Sequence, residues 1–117
     1  MPFFYKIKNN AFDDDIFCLT FLIVLEFDEI QMNFSLIIDN ENFLDLDDFV
    51  KKINNDTPCN FFNEETKEKF IAINFNEQKE FEIYITDICF INKIKNKAEF
   101  INLFNDIRNQ VVLLNNI

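Results

Sequence analysis

The sequence predicts an α+β fold: a single antiparallel sheet of about five strands with two helices packed on one face, in the order β-β-β-α-β-β-α. Three observations carry that expectation. Apolar residues recur at every second position over residues 16–27, 30–39, 70–75 and 81–85, the period of a strand. They recur at i, i+3, i+4 and i+7 from Leu46 to Ile53 and again from Phe100 onward, the period of a helix. The connectors between successive strands are short, which suits antiparallel neighbours.

Each element has its own justification. Residues 2–8, PFFYKIK, alternate loosely and suit an edge strand, with NNAFDDD following as a polar connector. In the next strand Phe17, Leu19, Phe21, Ile23, Leu25 and Phe27 line one face. Ile16, Cys18, Thr20, Leu22, Val24 and Glu26 line the other. Both faces are largely apolar, so this strand is expected to be central. Ile30, Met32, Phe34, Leu36 and Ile38 then alternate with Gln31, Asn33, Ser35 and Ile37. Pairing Phe27 with Ile30 sets Leu25 opposite Met32, Ile23 opposite Phe34, Phe21 opposite Leu36 and Leu19 opposite Ile38. A slip of one residue would destroy that match. Asp28-Glu29 is poor chemistry for a two-residue hairpin, so a longer turn or a bulge is expected there.

The stretch DNENFLDLDDFVKKIN carries the first helix, with Leu46, Phe49, Val50 and Ile53 as its apolar stripe. Asp45 is its expected N-cap. Asp47 and Asp48 then stand in the first turn and Lys51 and Lys52 near the last, as the helix dipole favours. Asn54, Asn55 and Asp56 end it. Further along, a turn at NEQKE pairs Phe75 with Phe81 and Ile73 with Ile83. The last helix opens on an Asn96/Glu99 capping box. Its stripe is Phe100, Leu103, Phe104, Ile107, Val111 and Leu114, with Val112 and Leu113 off it. Phe21, Ile23, Phe34, Leu36, Phe49, Ile53, Phe100, Phe104 and Ile107 are expected to be buried together. No linker interrupts the 117 residues, so residues 1–117 read as a single domain.

Composition removes whole classes of chemistry. The chain has 17 Phe, two Tyr and no Trp, Gly or His, and Arg108 is its one arginine, a profile that AT-rich coding produces. Without His the usual general base and the Ser-His and Cys-His pairs are missing. Without Gly there is no phosphate-cradling or dinucleotide loop. Calcium-loop spacing from Asp39 or Asp45 puts Phe43 or Phe49 on the third ligand position. No enzyme activity, cofactor or metal site is therefore expected. Cys18, Cys59 and Cys89 are odd in number and form no C-x-x-C, against a disulfide framework or a zinc site. Cys18 and Cys89 read as buried small hydrophobes and Cys59, after Pro58, as a loop residue open to solvent. The N-terminus lacks signal-peptide order, and the apolar run 16–25 is too short to cross a bilayer. A reducing, cytoplasmic location is expected.

The net charge is −10, and it is uneven: residues 1–60 hold 12 acids and 4 bases, residues 61–117 hold 9 acids and 7 bases. The hairpin register gathers Asp13, Asp14, Asp15, Asp39, Glu41, Asp45, Asp47 and Asp48 at one pole. Such a pole either keeps a Phe-rich protein soluble or serves as a recognition surface. It repels nucleic acid and anionic membranes and complements a basic protein. In size, acidity and lack of catalytic residues the chain is similar to bacterial toxin-immunity proteins and phage anti-CRISPR proteins, a likeness of character carried by no motif. That resemblance implies a small non-catalytic inhibitor whose partner is a basic protein effector, such as a toxin nuclease or an RNA-guided defence enzyme. It would block that effector by plugging its channel or mimicking its phosphates. Two alternatives stand beside it. One is a structural or adaptor module that self-associates, as a homodimer, through an open strand edge or Val112 and Leu113. The other is a carboxylate-based divalent-metal binder at the acidic pole.

Overall fold

The computed structural model describes residues 3–13, 16–26, 29–86, 89–94 and 97–115; for residues 8–13, 16, 89–94 and 115 it describes the main chain alone. Strands β1 (Phe3–Asp13), β2 (Ile16–Glu26) and β3 (Gln31–Asp39) lead into helix α1 (Phe43–Asn54). Strands β4 (Cys59–Glu64), β5 (Phe70–Phe75), β6 (Phe81–Ile85) and β7 (Cys89–Ile94) lead into helix α2 (Lys97–Asn115).

The expected single sheet of about five strands does not form. β1-β2-β3 make one antiparallel sheet and β4-β5-β6-β7 a second. The reason lies at Ile37 on the outer edge of β3. Its N–H donates to Asn63 Oδ1 at 2.9 Å, and Asn63 Nδ2 donates back to its carbonyl at 2.7 Å. A side-chain amide on β4 thus takes the place a neighbouring strand would hold. The two sheets adjoin there without a ladder between them. Asn63 is only 2% exposed, and these bonds are what make its burial tolerable.

Within the first sheet the expected register holds: Leu19 opposite Ile38, Phe21 opposite Leu36, Ile23 opposite Phe34 and Leu25 opposite Met32. β2 is its central strand. The last described pair is Glu26 with Gln31, and Ile30 is exposed rather than in the strand; Phe27 and Asp28, and with them the expected pairing of Phe27 and the form of the turn, lie outside the described residues. Residues 9–13 of the polar connector expected at NNAFDDD are instead the second half of β1, which shifts register between Ile7 and Asn9 and then pairs on to Asp13 opposite Ile16; Asp14 and Asp15 lie outside the described residues. An edge strand needs only one partner, and its main chain supplies the bonds whatever the side chains are.

In the second sheet Phe75 lies opposite Phe81 and Ile73 opposite Ile83, as expected. β4 and β7 are additional to the expected order. β4 escapes a period-two reading because Phe61 and Phe62 are adjacent and its inward face carries Asn63.

Both helices are also placed differently from the expectation. They do not share one face of one sheet. Phe100 on α2 meets Phe3 of the first sheet at 6.3 Å and Phe81 of the second at 4.3 Å between ring centroids. Phe104 stacks edge-on to Phe49 of α1 at 5.3 Å, and Phe49 meets Phe61 of β4 at 5.6 Å. The nine residues expected to be buried together all belong to one continuous apolar cluster fed by both sheets and both helices. Phenylalanine supplies its bulk because the ring is large and has no polar atom to satisfy.

Candidate functional site

Helix α1 begins at Phe43, so Asp45 is not its N-cap. Asn42 stands there, and its side chain is engaged elsewhere: Oδ1 accepts from Asp39 N–H at 2.9 Å and Nδ2 donates to the Ile37 carbonyl at 2.7 Å. Asp45 lies in the first helical turn, where a carboxylate favours the dipole. Asp47 and Asp48 fall one turn later than expected, positioned for i,i+4 pairs with Lys51 at 2.9 Å and Lys52 at 3.0 Å.

The eight acids of the expected pole therefore differ in what they are free to do. Asp14 and Asp15 lie outside the described residues, and Asp13 is described only by its main chain. The ladder places Asp13 and Asp39 at the same end of the first sheet, since Ile16 pairs Asp13 and Cys18 pairs Asp39. Asp39 holds the turn into α1: its Oδ1 accepts from the N–H groups of Glu41 at 2.9 Å and Asn42 at 3.1 Å. Asp47 is 15% exposed and accepts from Arg108 Nε on α2 at 2.7 Å. The hydrogen bonds from Lys51 and then Arg108 hold its carboxyl below the ordinary value of 3.8. Asp39 and Asp47 are thus structural. Glu41 and Asp45 are exposed, and Asp48 is 63% exposed despite its lysine.

Asp45 and Asp48 rim a groove of about 480 Å³ between α1 and β4, whose other walls include Lys52, Cys59, Asn60 and Phe62. Phe62 is 54% exposed and lies 5.1 Å from Phe70 between ring centroids. It was missing from the acid-centred expectation, though the sequence carries a signal for it: of two adjacent phenylalanines in a strand, one must face outward. Cys59 is half-buried rather than open, and burial pushes its thiol up to about 11. A thiol so placed stays protonated near neutrality and is a poor nucleophile. Cys18 is half-buried, and the side chain of Cys89 lies outside the described residues.

Among the described residues no group of three or more Cys, Asp or Glu is placed to hold a metal ion, and no helix is long and apolar enough to cross a membrane. The arrangement offers a concave, acid-rimmed surface with an aromatic ring at its edge. No protein-family model, curated protein or solved structure matches the chain.

Proposed function

We propose that this chain is a small, acidic, non-catalytic inhibitor that binds a basic nucleic-acid-processing effector and blocks it. The observation that supports this best is the exposed Phe62 ring beside Asp45 and Asp48 on one groove. Interfaces gain most from an apolar or aromatic anchor that water leaves on binding, ringed by polar groups that set partner choice. Carboxylates in that ring select a cationic surface and speed its capture. Nucleic-acid enzymes display such surfaces because they must neutralise phosphates. The proposal includes a cytoplasmic location, where an effector of this kind works and thiols such as Cys59 remain reduced.

The test is capture followed by inhibition. The immobilised chain is exposed to host lysate and eluted with rising salt. The captured protein should be a basic nuclease or nucleic-acid-guided enzyme. Its cleavage of nucleic acid should stop at an equimolar amount of the chain. The double variant Asp45→Lys/Asp48→Lys should lose inhibition, mainly through slower association. An acidic partner, or a captured nuclease that still cuts at full rate, overturns the proposal.

A further inference from the structure

The outer face of the second sheet carries a cross-strand row that the acids alone do not account for. Phe62 on β4 lies opposite Ala72 on β5, and Ala72 lies opposite Tyr84 on β6. Phe62 is 54% and Tyr84 37% exposed, whereas their inward neighbours Phe61 and Ile83 are buried. The small Ala72 separates the two rings by two strand spacings, roughly 10 Å, and Phe70, two residues from Ala72 on the same face of β5, packs on Phe62 at 5.1 Å between ring centroids. Glu64 is two residues from Phe62 on the same face of β4, and Glu82 two residues from Tyr84 on the same face of β6. Glu64 is exposed, and Glu82 is held by Asn74 Nδ2 at 2.8 Å.

We propose that this row is a docking face for arginine side chains of a basic protein. The faces of Phe and Tyr are electron-rich and attract a cation laid over them. A guanidinium is planar and weakly hydrated, so it can lie flat on a ring while its edge donates two parallel bonds to a carboxylate. An ammonium can also meet a ring and a carboxylate, as Lys97 meets Phe75 and Asp56, but only as a point charge without the flat stacking or the paired bonds. Phe62 and Tyr84 supply the faces, and Glu64 and Glu82 the acceptors at either side. Charge selects the occupant. A second copy of this chain brings another −10 to the interface. Nucleic acid, whose bases also stack on sheet aromatics, meets Glu64 and Glu82 with its phosphates. Phe62 belongs to this row and to the α1–β4 groove, so the two surfaces are continuous. The inference thus rests on the acidic-inhibitor proposal and specifies the partner chemistry.

The experiment titrates nona-arginine and nona-lysine into the ¹⁵N-labelled chain at low and moderate salt. Nona-arginine should bind several-fold more tightly and shift the amides around Phe62 and Tyr84. Phe62→Ala and Tyr84→Ala should each weaken nona-arginine about twofold to fivefold and leave nona-lysine nearly unchanged. Phe62→Tyr keeps a ring and should keep the preference. The amide spectra of the free variants verify that they fold. Equal, salt-sensitive binding of both peptides, abolished by Asp45→Lys/Asp48→Lys but untouched by Phe62→Ala, overturns the arginine face and leaves the acidic groove standing. Failure of both peptides at low salt overturns both proposals. Shifts of the same row produced by a single-stranded oligonucleotide, or a homodimer that Phe62→Ala dissolves, overturn the arginine assignment.

Discussion

The ammonium of Lys79 donates to the main-chain carbonyl of Asp56, and these are the two described residues with left-handed backbone, at φ 65° and 59°. Both occupy places that usually take glycine. Asp56 follows the C-terminus of α1, where its N–H reaches the Ile53 carbonyl at 3.2 Å and Thr57 N–H reaches the Lys52 carbonyl at 2.9 Å. Lys79 closes the β5–β6 turn, its N–H on the Asn76 carbonyl at 3.0 Å. A chain without glycine must pay the Cβ penalty at such positions.

Lys79→Gly should therefore stabilise the protein by about 0.5–1 kcal/mol, the relieved backbone outweighing an exposed side-chain contact. Lys79→Ala should do the reverse, since it keeps the Cβ and loses the contact. Urea midpoints at unchanged slope measure both. A midpoint that falls in Lys79→Gly would show that the ammonium contact matters more than the backbone.

Asp47→Lys should cost about 1–3 kcal/mol, between the values for exposed and buried pairs, because it sets a third cation beside Arg108 and Lys51. Asp48→Lys should stay within about 1 kcal/mol, since it loses an exposed pair and opposes the dipole only weakly. Charge reversal at Asp47 consequently confounds binding with folding, and Asp45 and Asp48 are the acids to reverse in binding work.

Acid should loosen the α1–α2 contact through the same residue. The folded-state pKa of Asp47 is depressed by its bonds from Lys51 and Arg108. Its contribution is present above the unfolded value of 3.8 and is lost as pH falls through the lower, folded value. Asp47→Asn should flatten the acid limb of the stability profile below about pH 4 while leaving its neutral and alkaline parts parallel to wild type. An unchanged acid limb would assign acid unfolding to other carboxylates.

The extent to which the sequence foretold this structure follows from which contacts are local or periodic. The Phe21–Leu36 and Ile23–Phe34 pairs were legible because alternation on both strands admits one register. The helical stripes were legible for the same reason. The division into two sheets was not, because it turns on one amide, Asn63, reaching Ile37 across 26 residues. Nor was the role of Asp47, whose partner Arg108 is 61 residues away on the other helix. Asp45 and Asp48 could be named from charge. Phe62 could not be placed beside them until β4 was known to follow α1 along that groove.

Asn63 offers the sharpest test of that division. Asn63→Leu keeps an apolar body of similar size but leaves the Ile37 N–H without its acceptor and removes one donor from the Ile37 carbonyl, which Asn42 Nδ2 still serves. An unmet buried donor costs about 1–3 kcal/mol, so a loss of that order is expected. Asn63→Asp restores the acceptor but sets a buried carboxylate against the Ile37 carbonyl. It should recover stability only as falling pH protonates the new acid and restores a donor, a direction opposite to that of Asp47. Hydrogen exchange localises the effect: the Ile37 amide should exchange much faster in Asn63→Leu, while Leu36 and Phe34, which belong to the β2–β3 ladder, stay protected. Equal protection of Ile37 in wild type and Asn63→Leu would mean that something other than this amide seals the edge of β3.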